Sequence, residues 1–177
     1  MKVVILAGGK GSRISYYTEQ IPKPMIKIGG LPMLTHIMRF FKNYGFDEFI
    51  IAAGYKKSVI DKYYKNSKEF KNLTIVNTGA NSETGGRLLK LKKILKNQDN
   101  FFMTYGDGIS NLNLKKLLKF HKKNKKIATL TAVKYKNPKG VLLINSKSTI
   151  KTIKEKPTEY INGGFFVLSN KVFKYLK

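Results

Sequence analysis

Apolar positions along the chain fall into short runs separated by glycine-rich or polar punctuation. Residues 3–6 form an unbroken apolar run rich in β-branched side chains, the length and make-up of a strand buried on both faces. Comparable runs predict strands over 48–53, 73–77, 101–105 and 127–133. Between them, apolar residues recur at helical spacing over 33–44, 56–64, 86–95 and 113–122. Strands alternating with helices in this way predict an α/β fold, a Rossmann-like and mostly parallel sheet flanked by helices. The rhythm changes after about residue 133. There 141–145, 149–155 and 165–168 read as shorter strands, with a turn at 146–148, and predict a small antiparallel addition. No internal repeat or low-complexity linker breaks the pattern. Residues 1–177 therefore read as a single domain, long enough to bury a sizeable core.

Composition narrows the class. A hydrophobic content of 42% with 12% aromatics is ordinary for a globular protein. No run approaches the roughly 20 apolar residues of a membrane span. The chain passes from Lys2 directly into a predicted strand without a signal peptide, so a cytoplasmic protein with no membrane partner is expected. The absence of cysteine excludes disulfides, thiolate nucleophiles and cysteine-ligated zinc. A net charge of +25 would ordinarily suggest a nucleic-acid partner. Of the 35 basic residues, however, only Arg13, Arg39 and Arg87 are arginine, and the chain is also rich in Asn and Ile. That is the signature of an AT-rich coding sequence. The lysines are spread along the chain, with one local cluster at 121–126, so nucleic acid is not expected as a partner. The surplus still favours the approach of anionic substrates.

Candidate chemistry gathers at the strand ends. The first run stops at Ala7-Gly8-Gly9, followed by Gly11 and Arg13. Glycines there let the backbone turn sharply and present N–H groups to a ligand, and an arginine supplies a permanent forked charge suited to phosphate. A Walker A loop does not fit, because Gly11 follows Gly9-Lys10 and Val4 stands five before Gly9. A dinucleotide fingerprint fails at Ile14. Pro22-Lys23-Pro24 is stiff enough to pre-position its lysine. Gly106-Asp107-Gly108 sets one of only ten acidic residues between glycines at a strand end, making Asp107 the candidate ligand for Mg²⁺. Glu155-Lys156-Pro157 and Asn162-Gly163-Gly164 follow; each alone reads as a turn. In a parallel α/β sheet ligands lie beyond the carboxyl ends of the strands, so the Gly8 loop, Gly54-Tyr55, Thr78-Gly79 and Gly106-Asp107-Gly108 are expected on one rim. His36 and His121 read as structural, and Tyr16-Tyr17 and Tyr63-Tyr64 as packing aromatics.

Leu6-Ala7-Gly8-Gly9-x-Gly11-Ser12-Arg13 with Pro22-Lys23-Pro24 resembles the signature of the sugar-1-phosphate nucleotidyltransferases, which join a sugar phosphate to a nucleotide and release pyrophosphate. Asn77-Thr78-Gly79, Thr84-Gly85-Gly86-Arg87-Leu88, Thr104-Tyr105-Gly106-Asp107-Gly108, Phe120-His121, Glu155-Lys156-Pro157 and Asn162-Gly163-Gly164-Phe165 extend the likeness to about Leu168. Together they are similar to the glucose-1-phosphate cytidylyltransferase branch. That resemblance implies transfer of CMP from CTP to glucose 1-phosphate, with Mg²⁺ and in a homo-oligomer. It assigns the nucleotide to Leu6, Ala7, Gly8, Gly9, Gly11, Ser12 and Arg13, with Thr84, Gly85, Gly86 and Arg87 beside it. Tyr105, Gly106, Glu155, Asn162 and Gly163 fall to the sugar substrate, Lys156 to its phosphate and Asp107 to the metal. Arg13, Lys23 and Lys156 are the implied catalytic cations. The resembling enzymes carry a second metal-binding aspartate in a later segment and a longer stretch between residues 64 and 76, so the chain reads as C-terminally shortened. Another sugar nucleotidyltransferase, using UTP, dTTP or GTP, and a nucleotide-binding relative without turnover are the competing readings.

Overall fold

The computed structural model describes residues 1–11 and 19–177. The first apolar run forms β1 (Lys2–Ala7), one residue longer at each end than its pattern predicts. A short hairpin of β2 (Lys27–Ile28) and β3 (Leu31–Pro32) leads into α1 (Met33–Lys42), β4 (Glu48–Ala53), α2 (Lys57–Tyr64) and β5 (Leu73–Asn77). Then follow α3 (Thr84–Leu89), β6 (Asn100–Tyr105), α4 (Leu114–Asn124), β7 (Ala128–Lys136), β8 (Val141–Ile144), β9 (Ile150–Lys154) and β10 (Thr158–Ser169). The chain divides into two compact units, Met1–Thr129 with Gly164–Lys177, and Leu130–Gly163.

The main sheet has the order β5-β4-β1-β6-β10-β7. β1 pairs in parallel with β4 on one side and β6 on the other, and β5 extends the parallel set beyond β4. β10 runs antiparallel to β6, from Phe165 opposite Thr104 to Ser169 opposite Asn100. The chain thus steps outward from β1 to β4 to β5, then returns to the other side of β1 as β6. The strand order reverses between β1 and β6, the point at which an open α/β sheet leaves a crevice outside its carboxyl ends.

Alternation along β1 builds the core on both faces of this sheet. Val3, Ile5 and Ala7 join Phe41 and Met38 of α1, Ile60 of α2 and Leu117 of α4. Val4 and Leu6 join Leu88, Leu91, Phe101 and Phe173 on the opposite face. Phe102 sits between Phe41 and Phe46, with ring centroids 5.4 and 4.7 Å away in edge-on geometry.

Two elements differ from their patterns. The run predicted as a helix over 86–95 is a helix only through Leu89, preceded by Thr84, and continues as successive turns. Leu91 and Leu95 are nevertheless fully buried, so the apolar spacing reported burial rather than α-helical hydrogen bonding. The strand predicted over 165–168 begins at Thr158, which puts Asn162-Gly163-Gly164 inside a strand instead of a turn. Gly164 has a φ of +80°, and a Cβ on Gly163 would lie 2.7 Å from Thr131 Oγ1, so glycine keeps the strand continuous there. In the second unit β8 and β9 form an antiparallel hairpin with Leu142 opposite Ile153. Glu155 and Lys156 lie in the turn between β9 and β10, the Glu155 carboxylate beside Gly140 and Lys156 at a φ of +42°. Among the described residues no helix is long and apolar enough to cross a membrane.

His121 on α4 is 2% exposed. Its Nδ1 shares a 2.8 Å hydrogen bond with Thr129 Oγ1 and its Nε2 a 2.9 Å bond with Asn100 Oδ1. Burial pushes the imidazole below its ordinary value of 6.5. The unfolded chain therefore takes up a proton at a higher pH than the folded one. The stability linked to this group is present above 6.5 and is lost as pH falls from there toward the folded-state value. We predict that the thermal midpoint of the wild type falls more steeply below pH 6.5 than that of His121→Gln. Parallel midpoint-against-pH curves for the two proteins would refute it.

Candidate active site

The carboxyl ends of β1 and β6 open into a cleft of about 600 Å³ in the first unit. The ladder fixes their relative positions: Ala7 is level with Ala53, and Leu6 with Tyr105. Backbone bonds continue this register into the loops. Tyr55 N donates to Gly8 O at 3.1 Å, Thr78 N to Ala53 O at 2.7 Å, and Gly106 N to Leu6 O at 2.9 Å. The four loops expected on one rim are thus tied together, but only the Gly8 loop and Gly106-Asp107 line the cleft, with Gly54-Tyr55 and Thr78-Gly79 behind them.

On the β1 side the cleft is lined by Leu6, Ala7, Gly8, Gly9 and Gly11. Ser12 and Arg13 lie outside the described residues. Gly11 has a φ of +66°, a conformation that strongly favours glycine. Lys23 and Asp107 stand together in the wall, Nζ to Oδ2 at 2.5 Å, with side chains 38% and 40% exposed. Lys23 opens a 3₁₀ turn over Lys23–Met25, whose Pro24 and Met25 are buried, so the stem of the lysine rises from an anchored base. Pro24 reaches across to Gly106, where a Cβ would meet its Cγ at 2.8 Å and Leu6 O at 3.1 Å. The Pro-Lys-Pro segment can therefore lie flush on the Gly-Asp-Gly turn only because residue 106 has no side chain.

The remaining wall comes from the segment after β5. Thr84, Gly85 and Arg87 line the cleft, whereas Gly86 does not. Arg87 is 5% exposed, and burial lowers its pKa. Its Nη1 donates to Thr78 Oγ1 at 2.9 Å and Gly79 O at 2.7 Å, and its Nη2 to Gly8 O at 2.8 Å and Ala80 O at 3.1 Å. Lys90 Nζ donates to Thr78 O at 2.9 Å and Ser82 Oγ at 3.0 Å, pinning the same turn. Tyr105 and Gly106 complete the cleft on the β6 side, with the Tyr105 ring edge-on to Phe166. Glu155, Lys156, Asn162 and Gly163 belong to the second unit. His36 and His121 do not line the cleft.

Ser82 and Glu83 also line the cleft, and sequence reading passed over both. The one available signal was the scarcity of acids, since Glu83 is among only ten in the chain. Among the described residues no three His, Cys, Asp or Glu cluster in a way that could hold a metal ion. Asp107 alone still fits a hard cation: Mg²⁺ takes one or two carboxylates and fills its remaining positions with phosphate oxygens and water.

A glycine loop at the switch point, a lysine and carboxylate facing it, and no histidine or cysteine in the lining describe a site for charged phosphates rather than for a protein nucleophile. A family model described as nucleotidyl transferase matches residues 2–177. The chain belongs to this family and is an enzyme of nucleotidyl transfer. It is 41% identical over 197 residues to the glucose-1-phosphate cytidylyltransferase of Salmonella typhimurium, covering 97% of this chain and 76% of that protein. It is 39% identical over 199 residues to a probable glucose-1-phosphate cytidylyltransferase of Bacillus subtilis, covering 99% and 78%. Both aligned stretches are longer than the chain, so these relatives carry residues within the matched region that this chain lacks. Among solved structures, HddC from Yersinia pseudotuberculosis complexed with GMP-PN superposes with a TM-score of 0.74 at 28% identity, covering 98% of this chain and 78% of that one.

The interlocked loops make a stability prediction. A Cβ on Gly54 would lie 2.4 Å from Gly79 O and 2.7 Å from Arg87 Nη1, whereas one on Gly9 meets nothing within 4 Å. Gly54→Ala is expected to cost about 1–3 kcal/mol, the usual penalty for overpacking. Gly9→Ala should stay within about 0.5 kcal/mol of wild type. Urea unfolding of the two variants measures the contrast, and equal losses would contradict it.

Proposed function

We propose that this nucleotidyltransferase, one of the sugar-1-phosphate type, transfers CMP from CTP to glucose 1-phosphate, forming CDP-glucose and pyrophosphate. The observation that carries the proposal is the pairing of the Gly8-Gly9-x-Gly11 loop with Lys23 and Asp107 across the β1/β6 switch point, in a chain 41% identical to a cytidylyltransferase. The family match over residues 2–177 supports treating the whole stretch as one nucleotidyltransferase domain. A cytoplasmic location and a homo-oligomeric state complete the reading, both carried by the resemblance.

The chemistry asks little of a side chain as a base. A phosphate oxygen of glucose 1-phosphate, already ionised at neutral pH, forms a bond to the α-phosphorus of CTP. The bond from that phosphorus to the bridging oxygen breaks, and its electron pair leaves with pyrophosphate. Catalysis then rests on positioning and on neutralising charge. Backbone N–H groups of the glycine loop and the anchored Lys23 bind the triphosphate, with Arg13 assigned to the departing pyrophosphate and Lys156 to the incoming phosphate. Glu155, Asn162 and Gly163 take the sugar hydroxyls. Asp107 would hold Mg²⁺, which when bound supplies charge neutralisation on the phosphate oxygens.

A second reading uses GTP, favoured by the likeness to the Yersinia protein solved with GMP-PN. Pyrophosphate release with glucose 1-phosphate and Mg²⁺, measured in parallel for CTP, UTP, dTTP and GTP, separates the two. Release with CTP at least tenfold above the other three is the expected result, and a GTP preference would replace the reading. Asp107→Asn should lower turnover about a hundredfold or more. Its ion pair with Lys23 is half-exposed and contributes about 1 kcal/mol at most, so the thermal midpoint should move by no more than about 3 °C. Retained turnover in that variant would remove Asp107 from the metal site.

A further inference from the structure

We propose that Arg87 is a positioning residue that sets the phosphate-binding conformation of the Gly8 loop by holding the Gly8 carbonyl, without touching the nucleotide itself. The inference rests on the reading of the cleft as a nucleotide site.

A guanidinium has five N–H donors, four of them on its terminal nitrogens. In Arg87 all four are spent, on Thr78 Oγ1, Gly79 O, Ala80 O and Gly8 O, at 2.7 to 3.1 Å. The group is 5% exposed. A ligand contact through the terminal nitrogens would have to break one of these bonds.

What the bonds do is visible at Gly8. Its carbonyl oxygen accepts from Arg87 Nη2 at 2.8 Å and from Tyr55 N at 3.1 Å, so it is fixed toward the protein. In a planar trans peptide the carbonyl of one residue and the N–H of the next point in opposite directions. Fixing Gly8 O inward therefore turns the Gly9 N–H outward, and Gly9 is an exposed residue of the cleft wall. Gly8 has no side chain because a Cβ would lie 1.8 Å from Arg87 Nη1. The same guanidinium joins this loop to the turn after β5, so the two walls keep one spacing.

The charge matters as well. Among the described residues Arg87 makes no salt bridge, so its positive charge is solvated only by carbonyl and hydroxyl dipoles beneath a loop built for polyphosphate. Lysine cannot replace it: one ammonium does not span Gly8 O and Ala80 O as a planar fork does.

The test measures binding of inorganic tripolyphosphate and of CTP to the full chain by calorimetry, for wild type, Arg87→Lys and Arg87→Ala, with thermal midpoints recorded alongside. Tripolyphosphate carries no base or ribose, so it reports the loop alone. Both ligands should weaken by the same factor of about ten or more in each variant, the worth of a well-made hydrogen bond. Millimolar methylguanidine should restore tripolyphosphate binding to Arg87→Ala, whereas ethylamine should not. Loss of stability alone would lower the midpoint without that selective rescue, and would overturn the proposal. Weakened CTP binding with unchanged tripolyphosphate binding would also overturn it, by placing Arg87 against the nucleoside. Should Arg87→Ala fail to fold, Arg87→Lys decides by the same comparison. Wild type that binds both ligands, with variants that bind them equally well, defeats this proposal alone. Wild type that binds neither defeats the nucleotide-site reading along with it.

Discussion

The geometry of the cleft depends on where β1 stops. This strand is hydrogen-bonded on both edges, to β4 and β6, and its side chains are buried on both faces. A strand held on four sides has no register to slip into, so the position of its last residue is fixed by the core rather than by the loop that follows. The chain leaves β1 toward β4 and leaves β6 toward β7, in opposite directions across the sheet. Gly8, Gly9 and Gly11 then line the cleft at defined points. A ligand site that needs close backbone approach is built on the least adaptable part of the sheet.

The pair facing that loop is of a different kind. Lys23 and Asp107 are half-exposed, and such pairs add little to folding. Their supports are rigid: Pro24 lies against Gly106, and the Gly106 N–H continues the β1/β6 ladder. Positions are thus set by packing while the charges themselves stay available. That division would suit the proposed role of the pair toward phosphates and a cation.

How much of this could be read in advance varied with the physical signal. The bounds of β4 and β5 coincide with those read from the sequence for different reasons: Phe49–Ala53 of β4 are buried throughout, whereas β5 is an edge strand, with Thr74 and Asn77 exposed, whose β-branched run is bounded by polar residues. The apolar spacing over 86–95 predicts a longer helix than forms, because it reports which side of a segment is buried, not which carbonyl each N–H reaches; Leu91 and Leu95 are buried in turns. β10 is longer than its pattern predicts because Asn162-Gly163-Gly164 carries turn chemistry, and the crowding by Thr131 that explains Gly163 is a contact invisible in sequence. At the site, the glycines, Lys23, Asp107 and Arg87 were all singled out by motif. The acceptors of Arg87 were not, since three of the four are backbone carbonyls, which every residue carries.

The two described arginines share a habit that the lysines do not. Arg39 grips Glu69 with two parallel bonds, Nε to Oε1 at 2.7 Å and Nη2 to Oε2 at 3.0 Å, and Arg87 spreads its fork over four acceptors. Nearly every other cation in the chain is a lysine, a point charge on a flexible stem that serves wherever charge alone is wanted. In a chain whose composition leans so heavily toward lysine, arginine marks the places where shape is wanted too. The rare residue becomes a guide to geometry, whereas the abundant one guides only where packing or a second bond anchors it, as at Lys23 and Lys90.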